Sequence, residues 1–124
     1  MGSVSKDVHY WTRRAAIAGI RGLHAMAPPI RSYSRVEFHM DTVFWLCAAH
    51  GFPLRNPRIL DPFSGSGIHM SHSYVERARE AHLCDIDEDY ARLAGKLAGN
   101  VTSIHGDSFK MLNEGDPRLG KYDM

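Results

Sequence analysis

A pair of glycines after a short aliphatic run, with an acid about twenty residues further on, could hold a nucleotide. The stretch Ile59-Leu60-Asp61-Pro62-Phe63-Ser64-Gly65-Ser66-Gly67 passes from two aliphatic residues into a turn of Asp, Pro, Ser and Gly, and a helix-compatible segment follows. Gly65 and Gly67 carry no Cβ, so the backbone can come close to a ligand there. The first amides of a following helix would face that ligand with the positive end of the helix dipole behind them. Asp61 and Ser64 place polar groups at the carboxyl end of the strand, where open α/β sheets bind ligands. Asp85 closes a second apolar run, Ala81-His82-Leu83-Cys84-Asp85-Ile86-Asp87. Neighbouring parallel strands end side by side, so an acid there reaches the two hydroxyls of a ribose lying across the glycine turn.

The elements that must carry these groups follow from periodicity. Arg58 to Leu60 starts a first strand and Ile68 to Glu80 the helix after the glycine turn, with Tyr74, Val75 and Ala78 inward. Ala81 to Asp87 is the second strand, and Asp87 caps a helix over Glu88 to Ala98 that Gly99-Asn100 ends. Val101 to His105 is a third strand. Asp107 can cap Ser108 to Leu112, Gly115-Asp116-Pro117 is a turn, and Lys121 to Met124 opens a fourth strand. Upstream, Met1 to Lys6 reads as a loose terminus and Val8 to Leu23 as a surface helix ending near Gly19 or Gly22. Pro28-Pro29 enforces an extended loop. Tyr33 to Gly51 is a helix with a Ser34/Glu37 capping box and an apolar face of Met40, Val43, Phe44, Cys47 and Ala48. The expected division is an N-terminal helical and loop segment over 1–54 and a nucleotide-binding unit over 55–124.

Composition sets bounds. With 124 residues, 44% hydrophobic and 23% charged, the chain suits one small globular domain. No apolar run approaches the roughly 18 residues of a membrane span. The apolar stretch behind Arg13-Arg14 is broken by Arg21, too early for an export-signal core. Cys47 and Cys84 lie far apart in apolar segments and read as free thiols, which points to the cytoplasm. Residues 1–60 hold eight Lys/Arg against three Asp/Glu, and 61–124 seven against eleven. The basic half could attract a polyanion or present a solvated helix face. His69 and His72 stand three apart, but no Glu, Asp or Cys at ligand spacing joins them, so no metal site is assigned.

Asp61-Pro62-Phe63-Ser64-Gly65-Ser66-Gly67 resembles the first cofactor motif of S-adenosylmethionine-dependent methyltransferases, and most of all that of the nucleic-acid amino-methyltransferases. The resemblance covers roughly residues 55–124. It implies a Rossmann-like class I methyltransferase fold of α/β type, here partial, with three to four parallel strands and flanking helices. It implies S-adenosyl-L-methionine as cofactor, held by the seven residues from Asp61 to Gly67, by Asp85 at the ribose with Ile86 behind it, and by Asp107 at the adenine amino group. Gly22-Leu23-His24 is similar to a segment that precedes the motif in some members of the family. The implied acceptor is an amino group of a nucleic acid, DNA ahead of RNA. The family's catalytic Asp/Asn/Ser-Pro-Pro-aromatic tetrad belongs on the fourth strand, where this sequence stops; Ala27-Pro28-Pro29-Ile30 has the prolines without the flanking groups. No catalytic residue is therefore assigned. The chain is expected to be a cofactor-binding half, with the first strand left as an open edge along which the chain could associate. Two other readings stand beside it. Gly65-Ser66-Gly67 with Asp85 would also suit NAD, although Met70 replaces the third glycine of that fingerprint. A non-enzymatic module binding nucleic acid or a partner through the basic half would show salt-sensitive polyanion binding alone.

Overall fold

A computed structural model describes residues 2–26, 35–68 and 71–124; of residues 2, 3, 20–26 and 35–38 it describes the backbone only. The chain is α/β. Strands β1 (Arg58–Asp61), β2 (Glu80–Asp85) and β3 (Val101–His105) form one parallel sheet in the order β1-β2-β3. Ile59 pairs with Ala81, and Ala81 with Val101. Among the described residues four α-helices accompany it: α1 (Gly2–Met26), α2 (Arg35–Ala49), α3 (Glu88–Ala94) and α4 (Ser108–Glu114). Parallel neighbours need crossovers, and α3 serves as the one between β2 and β3.

The two-residue period of β2 divides the core. Ala81 and Leu83 face a cluster with Ile59, Ile68, Tyr74 and Leu93, while Cys84 faces a smaller one with Ile104 and Met111. Tyr10 of α1 is fully buried in the larger cluster. Lys6 of α1 pairs with Asp87 at 2.6 Å, Asp7 with Arg92 at 2.7 Å, and Arg14 donates to the carbonyl of Lys96 at 2.7 Å. A cation thus meets the carboxylates around the first turn of α3, and another meets the carbonyls beyond its end, where a helix dipole favours positive charge. The contacts of Lys6 and Asp7 tether the first turns of α1, which starts at Gly2 where a loose terminus was expected; the helix also runs on through Gly19 and Gly22, near one of which a stop was expected. A Cβ at Gly19 would meet nothing, so the glycine is not there for packing.

The largest departure lies after the glycine turn. Where a helix over 68–80 was expected, the described residues form two 3-10 turns, Ser71–Ser73 and Val75–Arg77. Ser71 and Tyr74 both reach back to Asp61, and the Asn100 side chain takes the carbonyls of Val75 and Ala78 at 2.7 and 2.9 Å. Side-chain bonds of this kind compete with the helical ladder. Tyr74, Val75 and Ala78 are nonetheless buried as expected. Elsewhere β3 spans the predicted residues. β2 starts one residue early and ends at Asp85, two before the predicted limit, and α3 stops at Ala94 rather than Ala98.

The C-terminal residues lie along β1. Met124 donates to the Arg58 carbonyl at 3.3 Å and accepts from the Leu60 amide at 2.9 Å, the pair of bonds that flanks Ile59 in a parallel ladder. The Asp123 carboxylate takes the Arg58 amide at 2.8 Å. The expected open edge is therefore covered at Arg58 and Leu60. On α2, Met40, Phe44 and Cys47 turn toward the body, whereas Val43 and Ala48 of the expected apolar face are exposed, with Trp45 and Leu46. Asp41 forms an ion pair with Arg77. The Ser34 capping box and the Pro28-Pro29 loop lie outside the described residues, as do the side chains of Gly22-Leu23-His24.

Both cysteines are free. Cys84 is 1% exposed, and Cys47 only half-buried. Ellman titration of the native protein at pH 8 is expected to count one thiol quickly, with the second appearing only in denaturant. Two fast thiols would contradict the packing of Cys84 against Ile104 and Met111. Among the described residues, no helix is long and apolar enough to cross a membrane.

Candidate functional site

The carboxyl ends of all three strands converge on one side of the sheet. Asp61, the last residue of β1, is held on both oxygens. One accepts from the Phe63 amide at 3.1 Å, and the other from Ser71 Oγ at 3.2 Å and the Tyr74 hydroxyl at 2.5 Å. This keeps Asp61 inside the turn, shaping it, rather than in the open cleft. Ser64 ties the turn to β2, its amide donating to the Cys84 carbonyl at 2.9 Å. Gly65 and Gly67 both have positive φ, 58° and 81°. Around Gly65 an added Cβ would meet open space, whereas at Gly67 it would come within 2.9 Å of Leu97 Cδ2 and 3.3 Å of Ser71 Cβ. Of the two glycines only Gly65 leaves room for close approach from outside; Gly67 serves internal packing. Among the described residues behind the turn there are only the two 3-10 turns, which do not supply the helix dipole expected there.

Asp85 is the centre of the arrangement. Its Oδ2 accepts from the Gly65 amide at 2.9 Å and its Oδ1 from the Asp87 amide at 2.8 Å. The carboxylate is fixed in place by two backbone donors, and each oxygen keeps acceptor capacity for one more. Asp87 caps α3 through the Tyr90 amide at 3.0 Å, and its bond from Lys6, with that cap behind it, holds its carboxyl below the usual range.

On one side of Asp85 opens a cleft of about 260 Å³. Pro62 and Phe63 come from the β1 turn, Asp85 and Ile86 from the end of β2, and Gly106 to Phe109 from the end of β3. Phe63, Ile86 and Phe109 remain 63%, 69% and 69% exposed at its rim, the two rings 5.4 Å apart. Ser108 Oγ donates to the Pro62 carbonyl and clasps the β1 turn to α4. On the other side lies a second cavity of about 380 Å³, whose walls include Ser5, Lys6 and His9 of α1 together with Gly65, Ser66 and Tyr90. The Gly65–Asp85 hydrogen bond joins the two walls. The predicted residues thus gather in one region: Pro62, Phe63, Asp85, Ile86 and Asp107 at the first cavity, Gly65 and Ser66 at the second. Asp61, Ser64 and Gly67 sit beneath, as its frame.

Sequence reasoning missed Phe109 and the α1 residues. Phe109 was detectable as an aromatic in the first turn of an exposed helix, two residues beyond a candidate acid. Ser5, Lys6 and His9 carried no signal, because only the docking of α1 on α3 brings them near the turn. Among the described residues no three His, Cys, Asp or Glu side chains could share a metal ion, and His69 lies outside them.

Beneath the cleft, burial first and then the Asp61 carboxylate push the Tyr74 hydroxyl well above its ordinary 10.0. The same two causes push the Cys84 thiol from 9.0 to about 11. Both groups are neutral when folded and ionise more readily when unfolded. Their contribution to stability is complete below pH 9 and is lost as pH rises through the raised values. The urea midpoint is expected to be level from pH 7 to 8.5 and to fall between about pH 9 and 11. Tyr74→Phe removes one charge-assisted bond to Asp61, costs about 2 kcal/mol at neutral pH and flattens part of that slope. A variant with an unchanged midpoint and slope would show that the Asp61–Tyr74 bond contributes nothing.

No family model matches this chain, and no curated protein does. Among the solved structures similar to this chain is "Putative methyltransferase yhhF from Escherichia coli". The two share 25% identity over 67% of this chain, with a TM-score of 0.46. This chain spans 46% of that one's length.

Proposed function

We propose that this chain binds S-adenosylmethionine across the carboxyl ends of β1, β2 and β3. We further propose that it is the cofactor-binding part of a methyltransferase acting on a nucleic-acid amino group, DNA ahead of RNA. The observation that carries the reading is the shared cleft: Asp85 and Asp107, from two strand ends, face the same space as Phe63, Ile86 and Phe109. Apolar side chains suit the faces of a flat purine ring, and carboxylates suit its exocyclic amine and a ribose diol. Asp85, already oriented by two amides, would take the ribose hydroxyls, and Asp107 the adenine amine. Ile86 and Phe109 would lie along the ring, and Gly65 and Ser66 would pass beneath the methionine end in the second cavity. When bound, the cofactor supplies an electrophilic methyl group on its sulfonium. The chain's own task is to hold that group at the strand ends.

The nucleic-acid part rests on the Asp-Pro-Phe-Ser-Gly-Ser-Gly turn and on the basic first sixty residues. No Asp/Asn/Ser-Pro-Pro-aromatic tetrad occurs in the 124 residues. In this reading the groups that align the acceptor amine come from outside them. Residues 55–124 form the cofactor half and 1–54 the segment laid against it.

Calorimetric titration with S-adenosylhomocysteine, NAD and a short oligonucleotide tests this. Saturable binding of S-adenosylhomocysteine is expected, with none of NAD. NAD binding alone would replace the proposal with an oxidoreductase, and oligonucleotide binding alone with a non-enzymatic module.

A further inference from the structure

Helix α1 has three faces. Lys6, Tyr10, Arg14 and Ile17 turn to the body of the protein. About a third of a turn away, at 100° per residue, Val4, Val8, Trp11, Ala15 and Ala18 form a second line. All five are exposed, Val4 by 68%, Val8 by 62% and Trp11 by 48%. Their spacing alternates four and three residues, the seam of a coiled coil. Ser5, His9, Thr12, Arg13, Ala16 and Gly19 occupy the remaining face.

We infer that this seam pairs two copies of the chain, α1 against α1, in antiparallel orientation. Two features select a second copy in that direction. In an antiparallel register Val8 sits opposite the second copy's Trp11 and Ala15 opposite its Val4, so the layers formed by these four residues each set a smaller side chain against a larger one. The residue before Val8 is Asp7 and the residue before Ala15 is Arg14, and this same register brings Asp7 beside the second copy's Arg14, twice by symmetry. A parallel register would set Asp7 against Thr12 and Arg14 against Gly19, with no charge pair. Asp7 meets Arg92 through one carboxylate oxygen, and Arg14 is a five-donor group, so both can take a further partner. Residues 4–18 span roughly 21 Å of helix. A seam this short buries little surface, so the association is weak, with a dissociation constant on the order of 10–100 µM.

Sedimentation equilibrium of the full chain from about 1 to 300 µM reads this directly. The apparent mass is expected to climb from 13.9 kDa toward twice that value. Val8→Asp, at an exposed site, is expected to hold it at the monomer with an unchanged circular dichroism spectrum. Ala15→Leu fills the small side of a layer and is expected to tighten the dimer by about five-fold, a gain that misfolding cannot imitate. A monomer at every concentration overturns the inference. So does association that ignores both substitutions, which would point to the exposed side of α2, and so does self-association that requires added oligonucleotide.

Discussion

Gly67→Ala is expected to lower the unfolding free energy by about 3 kcal/mol. A left-handed backbone costs a side chain about 1–2 kcal/mol. Overpacking a closed site adds about 1–3 kcal/mol. At Gly67 both apply: φ is 81°, and the new methyl group would lie 2.9 Å from Leu97 Cδ2, with Ser71 and Leu83 behind it. Leu97 belongs to the core cluster but also lines a cavity of about 390 Å³, so its side chain can relieve part of the clash by shifting, and the expected loss stays below the sum of the two upper limits. Gly65→Ala is the matched control. Its φ is also positive, but the added Cβ meets open space, so only the backbone cost of about 1–2 kcal/mol remains. Urea denaturation of the two variants separates conformation from packing. Equal losses would mean that the Leu97 contact gives way freely.

Asp85→Ala is expected to weaken S-adenosylhomocysteine binding by at least about 100-fold, the loss of two charge-assisted hydrogen bonds to a ribose. The expectation follows from the two amides that aim the carboxylate, since a group already oriented gives its full interaction to the ligand. Asp85→Asn keeps one acceptor oxygen but turns a donor toward one of those amides, and about a ten-fold loss is expected. The measurement is calorimetric titration beside a melting curve, so that lost affinity is not confused with lost fold. If Asp85→Ala binds as well as the unaltered chain, Asp85 has no part in the site, and the proposed cofactor loses its strongest support.

The α/β class, the three parallel strands and the glycine turn were legible from residue order alone. Strands announce themselves through short aliphatic runs ending in polar turns, as Ile59-Leu60-Asp61 and Leu83-Cys84-Asp85 do, and these signals are local. So is the cap at Asp87, three residues before the amide it receives. What lay beyond the sequence depends on contacts between distant segments. The stretch 68–80 has enough helix-forming residues to predict a helix. Asp61 and Asn100 draw it instead into 3-10 turns, from ten and more residues away. The start of α1 at Gly2 and the nearness of Lys6 and His9 to the glycine turn follow from ion pairs spanning more than eighty residues. The separate duties of Gly65 and Gly67, one open to the outside and one pressed on Leu97, could not be told from a motif in which both are simply glycine. That distinction exists only once α3 and the turn after it are folded against the strand ends, because it is set by which side chain occupies the space a Cβ would need.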